Sequence, residues 1–82
     1  MTLKLGPLTR IEWSDSASLI GGGTWSPLDE VRTTKPVVCT SVGYVAAETR
    51  ESITLVAHIS GDQVSGDMCI PKPAILKRRV LR

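Results

Sequence analysis

Phenylalanine is absent from this sequence of 82 residues, and only Trp13, Trp25 and Tyr44 supply aromatic rings. Any core must therefore be built mainly from aliphatic side chains. Histidine occurs once, at His58, and cysteine twice, at Cys39 and Cys69, with no CxxC spacing. So few ligands assemble neither a zinc site nor a disulfide framework. No metal or cofactor is expected, and both cysteines are expected as reduced residues buried in the core. Paired carboxylates, a Cys/His couple and a nucleophile elbow are also missing, so the chain is not expected to be an enzyme. No apolar run approaches the roughly 20 residues of a membrane span, and residues 1–6 lack the apolar segment of a secretory signal. This reading places the chain in the cytoplasm with no membrane partner.

What is present suits one small domain covering residues 1–82. Hydrophobic residues make up 41 % and charged residues 22 % of the chain, an ordinary balance for a folded domain. A chain this short buries only about 60 to 65 % of its unfolded surface, so a second subunit would add needed burial. The formal net charge of +2 is mild, but Lys77, Arg78, Arg79 and Arg82 place four cations within six residues.

Residues 10–15 alternate Ile11 and Trp13 against Arg10, Glu12 and Ser14, the period of a half-buried strand. Residues 19–24 carry Gly21, Gly22 and Gly23, a flexible joint that lacks the Lys and Ser/Thr register of a phosphate loop. Ser26, Pro27, Asp29 and Glu30 then read as an N-cap, a first-turn proline and first-turn acids, predicting a short helix over 27–33. Residues 37–48 are β-branched and predict a long strand bent at Gly43. Residues 52–60 resume alternation with Ile53, Leu55, Ala57 and Ile59 on one face, closing a hairpin with the preceding strand. Gly61 and Asp62 mark a turn into a strand on which Val64, Gly66, Met68 and Ile70 alternate with Ser65, Asp67 and Cys69. Pro71 and Pro73 interrupt it, and residues 74–81 form a last strand ending in the cations. The fold class is therefore mainly β: five short strands in a strongly bent sheet that closes into a small SH3-like barrel, with one short helix. Any edge left open is a place for another subunit, so a homo-oligomer is expected.

Residues 42–55, VGYVAAETRESITL, resemble the first signature of Sm-like proteins: a glycine in a bent strand, a hydrophobic stretch, an acid, a turn and a strand ending in Leu. Residues 66–75, GDMCIPKPAI, lie where the second signature would fall, with Pro71, Lys72 and Pro73 in place of its Arg-Gly pair. Across most of its length, from IEWSD through TWSPLDEV and SVGYV to CIPKPAI, the chain is similar to short proteins of bacteriophages and prophages. That resemblance implies a phage origin and a setting in the cytoplasm of an infected host.

His58 falls with Thr54 on the polar side of its strand, where an exposed or interface role is expected. Core packing is the first expectation for both tryptophans; Trp25, next to the triple glycine, is also a candidate for stacking on a base. Tyr44 is a candidate at a barrel mouth. Lys72, Lys77, Arg78, Arg79 and Arg82 are candidates for phosphate contacts, Arg in bidentate fashion, with a solvated basic tail as the alternative. The reading these residues support is a non-catalytic phage protein that sequesters a nucleotide-type ligand, either RNA or a cyclic nucleotide defence signal, as a homo-oligomer. Its ligand-binding residues would be Trp25, Tyr44, Lys72, Arg78 and Arg79. The alternative is a protein-interaction module that docks a host or phage protein through an open sheet edge or through the glycine-rich loop.

Overall fold

A computed structural model describes residues 4–18 and 25–82. The chain is mainly β, with one antiparallel sheet of five strands, a separate ladder of two strands and one short helix. Strand β1 (Leu8–Asp15) pairs with β2 (Val37–Glu48), and β2 pairs with β3 (Ser52–Val56). The smaller ladder joins β4 (His58–Ser60) to β5 (Gln63–Ser65). Strand β6 (Met68–Pro71) returns to pair with β3, a 3₁₀ turn spans Lys72–Ala74, and β7 (Ile75–Val80) pairs with β1. The order across the large sheet is β6-β3-β2-β1-β7.

Alternation decides the faces. Ile11 on β1, Ile53 and Leu55 on β3 and Ile70 on β6 form one buried cluster, with Trp13, Val45 and Ile75 packed against it. Trp13 thus takes the expected core position, and its indole Nε1 donates to Ser41 Oγ at 3.0 Å. Ile11 and Ile70 lie on strands separated by β2 and β3 yet share this cluster, so the sheet folds over on itself.

Two features of β2 let it curve. The β2–β3 ladder shifts register between Val45 and Ala47, a bulge that bends the strand. At Gly43 a Cβ would stand 2.7 Å from the Val56 carbonyl oxygen and 3.1 Å from Leu55 Cβ, so the backbone of β3 fills the space of a side chain. Glycine acts here by permitting close approach as well as curvature.

The expected closed barrel is not found. Among the described residues no ladder joins β6 to β7, and both remain edges of a curved but open sheet. Residues 52–60, read as one strand, divide into β3 and β4 because the chain leaves the edge of β2 after Val56, and the strand expected over 64–70 divides likewise into β5 and β6. The short helix α1 (Leu28–Val31) carries Asp29 and Glu30 in its first turn, as expected. Pro27, not Ser26, takes the cap position, and no side chain caps it.

Both cysteine expectations need correction. Cys69 is exposed because it alternates with Ile70 and so faces away from the core. Cys39 is half-buried, on the part of β2 that β3 does not flank.

The close approach at Gly43 gives a test. Gly43→Ala should destabilise the fold by about 1 to 3 kcal/mol, the usual cost of overpacking. Urea denaturation should show the midpoint lowered, and an unchanged midpoint would contradict the described contact.

Candidate functional site

Glu48 ends β2 on the inner side of the sheet, opposite Ile53. Arg78 lies on the inner side of β7, opposite Ile11. The Arg78 guanidinium donates to both carboxylate oxygens of Glu48, from Nη1 to Oε2 and from Nη2 to Oε1, each at 2.9 Å. Lys72 Nζ, from the 3₁₀ turn, lies 2.8 Å from the same Oε2. A bidentate guanidinium–carboxylate contact is the strong form of the charged hydrogen bond. Arg78 first and Lys72 second lower the Glu48 carboxyl from 4.5 to about 2. Glu48 in turn raises the Arg78 guanidinium.

Two residues expected at phosphates sit in this cluster. Lys72 and Arg78 were expected to face phosphates, but both are engaged with one carboxylate of their own chain. Their side chains remain about one-third exposed, so water and salt screen the cluster partly.

The opposite face of the sheet collects a different set. Arg79 stands directly across from Arg10, and Lys77 across from Glu12. Arg10 Nη1 reaches Glu12 Oε1 at 2.8 Å. On the other side of β1, Arg10 is opposite Val42, and Tyr44 is opposite Leu8, one diagonal step away. This outer face therefore groups Arg10, Lys77 and Arg79 around the single carboxylate of Glu12, with Tyr44 at its border. Two like charges directly opposed across a ladder are unfavourable unless an anion sits between them. Of the expected site residues, Tyr44 and Arg79 share this face, while Lys72 and Arg78 belong to the Glu48 cluster.

Arg10 was not expected as a site residue, whereas Lys77 was among the candidates for phosphate contacts. The signal was present for Arg10, which alternates with Ile11 and Trp13 and so must face outward. Lys77 joins it on this face through its pairing with Glu12.

Trp25 is fully exposed, so the expected core packing does not hold for it. The glycine joint at 19–24 lies outside the described residues. His58 is exposed on β4, as expected. Cys69 borders an open groove of about 790 Å³ whose walls include Arg50, Ser52, Pro71 and Lys72. Hydrogen bonds from Thr54 and then Ser52 lower its thiol below the ordinary value. Among the described residues no helix is long and apolar enough to cross a membrane. The chain matches no protein-family model, no curated protein and no solved structure.

The Glu48 cluster has a pH signature. A carboxyl held down in the folded state contributes its stability in full above its unfolded value and loses it as pH falls through the folded value. Glu48→Gln should therefore melt below wild type at neutral pH, and the gap should close as pH falls from 4.5 towards 2. Thermal melts across that range check this; a gap independent of pH would contradict it.

Proposed function

We propose that this chain is a non-catalytic binding protein that holds a nucleotide-type anion on the outer face of its sheet, through Arg10, Lys77, Arg79 and Tyr44. The observation that carries the reading is the opposed pair Arg10 and Arg79, with Lys77 beside them and one carboxylate to offset three cations. A phosphate between the two guanidiniums would relieve their repulsion and accept bidentate hydrogen bonds from each. Tyr44 offers a ring to a base at the edge of the same face, where stacking contributes about 1 to 3 kcal/mol. Trp25, exposed elsewhere, is a second ring available to a longer ligand.

In this reading the sheet is an open variant of the small SH3-like or Sm-like barrel, drawn together by side chains instead of a closing ladder. The curvature that brings Ile11 and Ile70 into one cluster supports it. The resemblance to short phage proteins gives sequestration a setting, in which the chain removes RNA or a cyclic nucleotide signal by stoichiometric binding.

The alternative, docking of a host or phage protein, has an observation of its own. Val38 and Val42 are exposed on the outer side of β2, and the strand is unflanked by β3 over this stretch. Apolar docking of this kind would be nearly indifferent to salt.

Isothermal titration with cyclic dinucleotides and with short single-stranded RNA separates the readings. Nucleotide binding should weaken steeply with salt, and Arg79→Ala should lower the slope of log affinity against log salt by about one. Arg10→Ala should weaken binding in the same direction, while Arg78→Ala should lower the melting temperature more than the affinity. No heat with any nucleotide at low salt would overturn the proposal and leave protein docking in front.

A further inference from the structure

The ladders at the two ends of the Ser52–Pro71 hairpin share one register, with the pairing interrupted between them at Val56, Ala57, Gly66 and Asp67, where Gly66 has φ of 68°. Ser52 opposite Pro71 and Leu55 opposite Met68 continue in step to His58 opposite Ser65 and Ser60 opposite Gln63. The break after Val56 therefore leaves a single ribbon whose outer half projects beyond the sheet. Gly61, with φ of 60°, makes its two-residue turn, where a glycine in the first central position suits a hairpin. Every residue from 57 to 69 is exposed. The radius of gyration of 16.5 Å and a longest dimension of 56 Å describe an extended molecule. A compact chain of this length would measure about 12 Å.

An apolar series runs along the ribbon: Leu55 and Met68 lie on the side that buries Ile53 and Ile70, and Ile59 lies opposite Val64 on the outer ladder. The inner half of this apolar stripe is covered by the rest of the chain, whereas Ile59, Val64 and Met68 are each more than 40 % exposed. A two-stranded ribbon without cover is marginally stable in water. Its pattern is that of a surface with a partner.

Charge identifies the partner. Between residues 51 and 71 the only charged side chains are Glu51, Asp62 and Asp67, all acidic. Asp62 and Asp67 form no ion pair within the chain among the described residues. Residues 72–82 hold five cations and no acid. Their strand, β7, is an open edge that also exposes Leu76 and Val80. An acidic ribbon with an uncovered apolar stripe and a basic open edge with uncovered aliphatics are complementary in charge and chemistry, but they belong to the same molecule.

We propose that the 57–67 ribbon of one copy docks on the β7 edge of a second copy of this chain. The contact puts Ile59 and Val64 against Leu76 and Val80, and Asp62 and Asp67 near Lys77. The surface is not self-complementary, so copies join arm to edge, either reciprocally in a dimer or head to tail in a ring.

The test is made without nucleotide, so it stands apart from the ligand reading, which the titrations decide. Light scattering at low salt should give a mass that is a multiple of 8.8 kDa and falls as salt rises. Two variants separate this interface from any other. Asp62→Lys with Asp67→Lys makes the arm basic, and Lys77→Glu with Arg79→Glu and Arg82→Glu makes the edge acidic. Each variant alone should run as a monomer, with circular dichroism confirming the fold. Mixed one to one, they restore arm-to-edge complementarity and should recover the wild-type mass. A monomeric wild-type chain, an oligomer that neither charge reversal disturbs, or a mixture that stays monomeric would each overturn the proposal.

Discussion

The Glu48–Arg78 contact is the constraint on which the shape of the molecule depends. Arg78 stands level with Ile11, and Ile11 with Ser41, which puts Glu48 seven residues further along β2. In a flat sheet these positions would be about 25 Å apart, from roughly 3.3 Å per residue along the strand and 4.8 Å between strands. The side chains meet at 2.9 Å. Strand β2 must therefore bend back over the core, and the bulge near Ala46 and the missing side chain at Gly43 make that bend possible. Lys72 ties the link between β6 and β7 to the same carboxylate. One acidic side chain thus holds three parts of the chain over a core whose four central members are Ile11, Ile53, Leu55 and Ile70.

This arrangement divides the cations by role. On β7 the strand alternation sends Arg78 inward to Glu48 and leaves Lys77 and Arg79 outward, although the three are consecutive in sequence. A basic run that looks uniform is therefore split between the two faces of the sheet, with Arg78 joined to Glu48 and Lys77 and Arg79 on the outside. Pairing with β1 then decides which cations stand together, since Arg10 is brought opposite Arg79 from the far end of the chain.

Much of the fold was legible because it is written locally. The bounds of β2, Val37–Glu48, follow from its β-branched run, and the first-turn acids mark α1. The core positions of Ile11, Trp13, Ile53 and Leu55 follow from period-two alternation. The same rule places Cys69 outside, because its position next to Ile70 on the strand decides its face whatever the burial preference of cysteine. Barrel closure was not legible. It depends on whether β6 and β7 meet, and nothing local to either strand determines that. The candidate site was legible in part. Tyr44 and Arg79 were candidates from their own segments, but the capture of Arg78 by Glu48 joins residues thirty apart, and only the register of three strands reveals it.

Glu48 and Arg78 act as one unit in holding the sheet in its curve. A double-mutant cycle with Glu48→Gln, Arg78→Gln and the double variant, read as urea midpoints at neutral pH, tests it most directly. If the pair is the clasp, either single change lowers the midpoint and the second adds little further loss. Fully additive losses, or single variants with the wild-type midpoint, would show that the sheet is held by other contacts.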